Sequence, residues 1–233
     1  MKKGTNMKEH SVVNFFSQFI RTIKQDIKNV GIITDKDGTL FLNDTLKQVL
    51  MDFRKKDLGV NIYIIANSGR TVQDMINCLN DNNIPIEYFD YIVGDNGGMC
   101  VDIKEGKQLY KHVIDKEVAR KVIEKFLEMG GDLSNIRLTD GENIYAYPTA
   151  ETEEYYRESK NVIFKQDMLD LEGIDITKIT LTGQHKQVNS IDKFIKENIK
   201  GYKTHAGKTS FPRKSKNNYR IDFTRNAYKR RSC

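Results

Sequence analysis

Two aspartates separated by one residue follow a short apolar segment near the start of the chain. The stretch is NVGIITDKDGTL, residues 29–40, and its acids are Asp35 and Asp37. Adjacent carboxylates that stay ionised usually need a cation between them, and hard oxygen ligands suit Mg²⁺. One carboxylate could attack phosphorus while the other handles the proton of the leaving group. The pair therefore indicates phosphoryl-group chemistry; the alternative is an Asp-rich turn whose side chains cap a helix.

Two later segments carry polar or conformationally permissive residues in the same position, directly after an apolar run. The first is Asn67-Ser68-Gly69-Arg70, and the second is Asp95-Asn96-Gly97-Gly98. A serine hydroxyl and the amides beside a glycine can hold phosphate oxygens, because glycine lets the backbone come close to a ligand. Ligands of open α/β sheets collect at the carboxyl ends of the strands. Three such ends therefore predict one shared binding site.

The elements that must position these residues follow from hydrophobic periodicity. Apolar, β-branched segments at 30–34, 61–66 and 88–94 are typical of buried parallel strands. Helical patterns at 44–57 and 71–83 lie between them, so the segment predicts a parallel sheet with crossover helices. An amphipathic pattern at 11–27 predicts another helix, and packing on its own domain is favoured over binding a partner.

The pattern changes after Gly98, where antiparallel-looking strands alternate with helices. We expect a hairpin in 99–114, a helix in 115–131 and two short strands about Asp140-Gly141. A short helix, a strand, a second long helix and a final strand are predicted at 151–160, 176–183, 188–200 and 200–207. The predicted division is an N-terminal helix (1–28), an α/β core (29–100 and 206–233) and an inserted α+β domain (101–205).

The motifs resemble those of the haloacid dehalogenase (HAD) superfamily of phosphotransferases. DKDGTL (35–40) looks like the first motif, DxDGT(L/V), and IIANSGR (64–70) resembles the second, a Ser or Thr after a buried strand. The Gly-Arg that follows, with the later Asn-Gly, is similar to the Cof-like and trehalose- or sucrose-phosphatase branch, subfamily IIB. The resemblance implies an α/β fold with a HAD-like Rossmannoid parallel-sheet core, and it makes the inserted α+β domain a substrate-selecting cap.

The resemblance also implies a role for each matching residue. Asp35 would be the nucleophile that forms an aspartyl-phosphate. Asp37 would be the general acid and base, and its backbone carbonyl would join the Asp35 carboxylate on Mg²⁺. Ser68 would bind the transferred phosphoryl group, Thr39 would orient the loop, and Asn96 would lie near the substrate. The remaining phosphate-binding positions would be Gly38, Asn67, Gly69, Arg70 and Gly97. The implied enzyme is an Mg²⁺-dependent phosphatase of a small phosphorylated metabolite such as a sugar phosphate.

Two further motifs of the family are less clear in this chain. The third is a lysine that balances negative charge at the phosphoryl site. Lys216 is the preferred candidate because FPRKSKNNYRIDF resembles the start of a helix in that motif, with Lys214 and Lys208 as alternatives. The fourth, an acidic pair typically written GDxxND, is absent, and Asp222 is the only acid after Lys216. We therefore expect a chain shortened or replaced at its end, with weak Mg²⁺ affinity and low phosphatase activity.

Charge is distributed unevenly along the chain. The formal net charge is +6, whereas residues 200–233 contain eleven Lys or Arg and one acid, a net of +10. Aromatic residues are interleaved with these cations. The rival interpretation is therefore a non-catalytic protein on a HAD scaffold, whose basic tail binds nucleic acid or another anionic partner.

Composition excludes several other classes of protein. No apolar run approaches the roughly 20 residues that cross a bilayer, so no membrane partner is expected. The cysteines Cys78, Cys100 and Cys233 lack the spacing of a zinc site or a disulfide framework. A reducing cytoplasm is the expected location.

Overall fold

The computed structural model describes residues 28–35, 60–208 and 218–225, and these ranges form two β-sheets with four α-helices. The helices predicted at 11–27 and 44–57 lie outside them. The strands are β1 Asn29–Asp35, β2 Asn61–Asn67, β3 Tyr91–Gly94, β4 Met99–Asp102, β5 Lys107–Lys111, β6 Ile136–Thr139, β7 Ile144–Ala146, β8 Val162–Phe164, β9 Lys178–Gln184, β10 Tyr202–Lys208 and β11 Asn218–Arg225. The helices are α1 Val72–Asp81, α2 Lys116–Glu128, α3 Ala150–Tyr155 and α4 His185–Asn198.

The first sheet has the strand order β1-β2-β3-β4-β5. Its first three strands are parallel, as predicted, and β4 and β5 add to it in antiparallel fashion. Helix α1 covers this sheet by burying Met75 and Leu79 against Ile64 and Ile92. Thr71 is its N-cap, and the Thr71 side chain accepts a hydrogen bond from the Asp74 amide and so satisfies a free N–H of the first turn.

The second sheet has the order β10-β11-β9-β6-β7-β8 and is antiparallel except between β7 and β8. Its apolar side chains pack on α2 and α4 in one continuous core that includes Phe126 and Ile191. Strand β9 shows why the two faces differ, because Ile179 and Leu181 alternate with polar neighbours. One face is therefore a hydrophobic core surface, and the other is polar.

Strand pairing departs from the predicted division at the first boundary. Strands β4 and β5 continue the first sheet, because a tight 3-10 turn at Asp95–Gly97 returns the chain along β3 as a hairpin. Tyr91 consequently pairs with Asp102. Residues 101–111 thus lie with the first sheet rather than with the inserted domain.

Strand β11 departs from the predicted division at the second boundary. It lies between β10 and β9, so residues 218–225 join the second sheet rather than the core. The helix predicted to begin near Lys216 is therefore wrong for these residues. They alternate strictly between apolar and polar types, which is the period of a half-buried strand. The sequence is Tyr219-Arg220-Ile221-Asp222-Phe223-Thr224.

Part of the basic tail is therefore built into a sheet. Ile221 and Phe223 are fully buried, and the Phe223 ring stacks on Tyr202 with ring centres 4.9 Å apart. These aromatic side chains pack in the core. In the same described ranges, no helix has both the length and the apolar character of a membrane span.

Candidate functional site

The carboxyl ends of the three parallel strands meet at one edge of the first sheet. Asp35 pairs with Asn67, and Asn67 pairs with Val93, the residue before the end of β3. Neighbouring strands lie about 4.8 Å apart, so the ends of β1, β2 and β3 border the same small volume. The strand register agrees with the predicted parallel sheet, and the roles of the residues at its edge stay a prediction. The side chain of Asp35 and all of Asp37, Gly38 and Thr39 lie outside the described residues.

The second strand end is a tight turn built around Ser68. The Ser68 amide donates to Val93 O over 3.0 Å, and the Arg70 amide donates to Ser68 Oγ over 3.2 Å. A hydroxyl has one proton to donate and two lone pairs to accept with. Because Ser68 Oγ accepts from the backbone, its own O–H can point to a ligand oxygen. The Arg70 guanidinium pairs with Asp74 at 2.8 Å, on α1.

The third strand end packs directly against this turn. Asp95, Asn96 and Gly97 all have positive φ (52°, 53° and 92°), a conformation that Asn tolerates and Gly favours. The turn brings Asn96 so close to Gly69 that a Cβ built on Gly69 would lie 2.9 Å from Asn96 Oδ1. The Asn96 amide also donates to Ser68 O over 3.2 Å. The structure thus brings together the predicted residues Asn67, Ser68, Gly69 and Asn96.

Asp222 is a member of this site that the sequence interpretation treated only as the lone acid of the basic tail. Its Oδ2 accepts a hydrogen bond from Asn96 Nδ2 over 3.1 Å, and its Oδ1 accepts from Thr180 Oγ1 over 2.7 Å. The Arg220 guanidinium lies 3.6 Å from Oδ2. Asp222 is buried, so these partners replace the water that its carboxylate loses.

Lys178 is a second member that sequence reasoning did not find. Its ammonium donates to the Gly69 carbonyl and lies 3.4 Å from Asp95 Oδ1. Asp95 is fully buried, and Thr177 Oγ1 donates to its other oxygen over 2.5 Å. Burial raises the pKa of Asp95 above its ordinary value, and the Lys178 charge and the Thr177 hydrogen bond oppose that rise. A lysine of the second sheet therefore contacts the turns after β2 and β3 of the first sheet.

The sequence contains an indirect signal for Lys178. In β9 the polar residues Lys178, Thr180 and Thr182 alternate with Ile179 and Leu181. That alternation predicts a polar sheet face with a lysine on it. It does not say which turn the lysine reaches.

A cleft of about 640 Å³ opens beside the Ser68 turn, between the two sheets. One wall is α1, and the other combines the polar face of the second sheet with residues 155–160. Arg137 is buried in the second wall, where it donates to Thr182 Oγ1 at 3.4 Å. Burial raises the pKa of Tyr156, and the neighbouring Arg137 guanidinium opposes that rise. The cleft thus offers hydroxyl, amide and charged groups to a polar ligand.

The structure does not bring Lys208 to this turn. Lys208 is exposed and pairs with Tyr219, beside the end of β9 remote from Lys178. The other candidates for the charge-balancing lysine, Lys214 and Lys216, lie outside the described residues. Their role stays a prediction.

The residue types at the strand edge fit a hard divalent cation. The Asp35 carboxylate and the Asp37 carbonyl are oxygen donors of the kind that Mg²⁺ prefers. Asp95 is engaged by Lys178 and Thr177, so it does not add to this donor set. Within 28–35, 60–208 and 218–225 no three His, Cys, Asp or Glu side chains are grouped to hold a metal.

The parallel strands, the turns at their carboxyl ends and the helix-covered second sheet define an α/β protein with a second α+β unit. A profile of haloacid dehalogenase-like hydrolases matches residues 32–221 of this chain. The chain belongs to the haloacid dehalogenase-like hydrolase family and is an enzyme of that class.

Solved structures share the fold at low sequence identity. A haloacid dehalogenase-like hydrolase from Bacteroides thetaiotaomicron is 18% identical, with a TM-score of 0.62 over 86% of this chain and 72% of its own. The protein TM0651 from Thermotoga maritima is 20% identical, with a TM-score of 0.57 over 84% and 69%. The HAD subclass IIB sugar phosphatase BT4131 is 16% identical, with a TM-score of 0.58 over 84% and 70%. The comparison with curated proteins gave no match.

Proposed function

We propose that this enzyme is an Mg²⁺-dependent phosphatase of a small phosphorylated metabolite and that it works through an aspartyl-phosphate on Asp35. The observation that carries the proposal is the register of the strands. Asp35 lies opposite Asn67, so the predicted nucleophile and the Ser68 turn share one sheet edge. The cytoplasm is the proposed setting, on the cysteine pattern alone.

The chemistry assigned to this chain has two balanced steps. A carboxylate oxygen of Asp35 attacks phosphorus, the bond from phosphorus to the leaving oxygen breaks, and Asp37 gives that oxygen a proton. Asp37 then takes a proton from water, whose oxygen attacks the phosphoryl group. Inorganic phosphate leaves, and the Asp35 carboxylate is restored. Mg²⁺, held by the Asp35 carboxylate and the Asp37 carbonyl, would supply charge neutralisation at the phosphoryl oxygens.

The Ser68 turn would bind the phosphoryl oxygens during both steps. Ser68 Oγ accepts from the Arg70 amide and can donate its own proton to an oxygen of the ligand. Gly69 and Gly97 let the backbone approach closely. In this proposal Gly38 and Thr39 complete the loop after β1, and Lys216 remains the preferred charge-balancing lysine.

The cleft indicates what the leaving group should look like. Its walls present hydroxyls and an amide from both sides of the cleft, namely Asn77, Thr139, Tyr156, Ser159 and Thr180. Such groups suit a leaving group with several hydroxyls, because hydroxyl and amide side chains can both donate hydrogen bonds to it and accept them from it. We therefore favour a sugar phosphate over an alkyl phosphate. The subclass IIB sugar phosphatase with the same fold supports this choice.

The decisive experiment is hydrolysis of p-nitrophenyl phosphate with Mg²⁺ by the wild-type protein, Asp35→Asn and Asp175→Asn. Asp175 is a matched control, because its side chain is 68% exposed and lies on the inserted domain. We expect Asp35→Asn to lose the activity and Asp175→Asn to keep it. Equal rates for the wild-type protein and Asp35→Asn would overturn the proposal.

Metal and substrate are tested separately. Removing divalent ions with EDTA should abolish hydrolysis, and added Mg²⁺ should restore it. A panel of sugar phosphates and alkyl phosphates then tests the leaving group. Higher kcat/KM for the alkyl phosphates would contradict the assignment of sugar phosphates while leaving the phosphatase chemistry intact.

A further inference from the structure

We infer that Lys178 is a positioning residue for the phosphoryl-binding turn, and that it acts through the peptide group between Gly69 and Arg70. The inference rests on the proposed function of Ser68. Lys178 is the first residue of β9 in the inserted domain, whereas the turn belongs to the first sheet. A residue outside the turn would therefore set the direction of the Ser68 hydroxyl.

The two relevant hydrogen bonds belong to one planar group. Lys178 donates to the carbonyl of Gly69, and the amide of the same peptide, at Arg70, donates to Ser68 Oγ over 3.2 Å. In a trans peptide the C=O and N–H point in opposite directions, so fixing one fixes the other. An ammonium on the carbonyl therefore aims the amide at Ser68 Oγ. The hydroxyl proton is then directed away from the backbone.

Lys178 is itself held in place by the other strand end. Its ammonium is 3.4 Å from Asp95 Oδ1, and the lysine is only 7% exposed. Thr177, the preceding residue, donates to the second oxygen of Asp95 over 2.5 Å. Asp95 N donates in turn to Arg70 O over 2.7 Å. Thr177 and the first residue of β9 thus both contact one carboxylate, which leaves the Lys178 side chain little freedom to point elsewhere.

The geometry joins the turn to the position of the inserted domain. When the polar face of the second sheet lies against the strand edge, Lys178 reaches the carbonyl of Gly69 and the peptide is fixed. Separation of the sheets would remove the ammonium and let that peptide rotate. Ser68 would consequently stabilise the phosphoryl group during its transfer best only while the domain is docked.

Three variants separate positioning from mere stability. Lys178→Met removes the ammonium but leaves Asp95 buried and charged, so it risks misfolding. The double variant Lys178→Met with Asp95→Asn removes both charges and still lacks the contact with Gly69. Lys178→Arg keeps a donor and should rescue in part. The control is Lys165→Met, because Lys165 pairs with Asp170 at 2.7 Å, away from the cleft lining.

With p-nitrophenyl phosphate and Mg²⁺, we expect Lys178→Met and the double variant to lower kcat by about tenfold or more, since misplaced groups can cost up to ~10²-fold. KM should change much less than kcat, Lys178→Arg should recover part of the loss, and Lys165→Met should match the wild-type protein. A double variant that folds and keeps its kcat would overturn the inference. The proposed function is judged separately in the same assay. If Asp35→Asn abolishes the activity, the proposed function is supported whatever the result for Lys178.

A second measurement does not depend on turnover. Hydrogen exchange of the Arg70 amide reports directly on its bond to Ser68 Oγ. We expect faster exchange at Arg70 in the double variant and unchanged exchange in Lys165→Met. Unchanged exchange at Arg70 in the double variant would overturn the inference even if the protein proved inactive in every phosphatase assay.

Discussion

Asn96 donates a hydrogen bond to Asp222 over 3.1 Å, although the two residues are 126 positions apart in the chain. Asn96 belongs to the turn after β3, and Asp222 lies within β11. Since Thr180 of β9 donates to the same carboxylate, Asp222 links one turn of the first sheet to two strands of the second. The acid of the basic tail is thus a structural partner of the candidate site.

Replacing Asp222 with alanine should destabilise the protein. The half-buried donors Asn96 and Thr180 would lose their acceptor, at a cost of about 1–3 kcal/mol in the free energy of unfolding. Urea unfolding measures this value. Asp175→Ala is the control, because a 68% exposed side chain should contribute within about 0.5 kcal/mol. Similar losses for the two variants would contradict the link.

Gly69→Ala should damage the turn through one identifiable contact. The added Cβ would lie 2.9 Å from Asn96 Oδ1, and overpacking of this kind costs about 1–3 kcal/mol. Thermal unfolding should show a lower Tm for Gly69→Ala and a partial recovery when Asn96→Ala is added. Gly207→Ala, where a Cβ meets no atom within 4 Å, should leave Tm nearly unchanged. The clash would be refuted if Gly69→Ala lowered the Tm of the Asn96→Ala variant as much as it lowers the Tm of the wild-type protein.

Thr71→Ala should cost about 1–2 kcal/mol of stability, the usual effect of losing a helix N-cap. The Thr71 hydroxyl accepts hydrogen bonds from the Asp74 amide over 3.0 Å and from Asn161 Nδ2 over 3.1 Å. It therefore caps the helix and also joins α1 to Asn161 of the inserted domain. Thr71→Ser keeps the hydroxyl and is the matched control in a urea titration. A serine variant as unstable as the alanine variant would show that the hydroxyl is not the important group.

Asp140 should make stability depend on pH on the acid side. Burial raises the pKa of Asp140, but hydrogen bonds from Asn143, Glu142 and Tyr145 outweigh it, so the pKa lies below the ordinary 3.8. Burial and the bond to Asp140 raise the pKa of Tyr145 to about 12. A carboxyl with a depressed folded pKa stabilises the protein fully above its unfolded pKa. That contribution is lost as pH falls through the lower folded value.

The test compares the wild-type protein with Asp140→Asn by urea unfolding at several pH values. The wild-type protein should be more stable by about 1–2 kcal/mol at neutral pH, because the amide accepts these bonds less well. The difference should shrink as pH falls below about 4. A gap that stays constant down to strongly acidic pH would contradict the assignment to Asp140.

The parts of the fold that local sequence determines were predictable. Strands β1 to β3 are apolar runs that end in polar turns, and both signals lie within a few neighbouring residues. The Ser68 turn is recognisable for the same reason, because its serine and glycine are adjacent. Elements α2, β6, β7, β9 and α4 likewise follow from periodicity and capping residues. These predictions needed no knowledge of which segments meet in space.

The contacts that complete the site were not predictable, because they join distant segments. Lys178 and Gly69 are 109 residues apart, and nothing near Lys178 distinguishes it from any lysine on a polar sheet face. For β11 the signal was present, since its residues alternate between apolar and polar. The same stretch also resembles the start of a helix, and the many cations around Asp222 are typical of an exposed segment rather than of a buried acid.

The strand order β10-β11-β9 also constrains how the protein can be made. Translation delivers β9 and then β10, but in the finished sheet these two are separated by β11, the last of the three to leave the ribosome. Until residue 225 has emerged, the edge of β9 that will receive β11 presents bare amides and carbonyls, which can pair with other chains. The nascent protein therefore carries an unpaired strand edge from the emergence of β9 until the emergence of β11, so its yield in the cell should respond to translation speed and to chaperones.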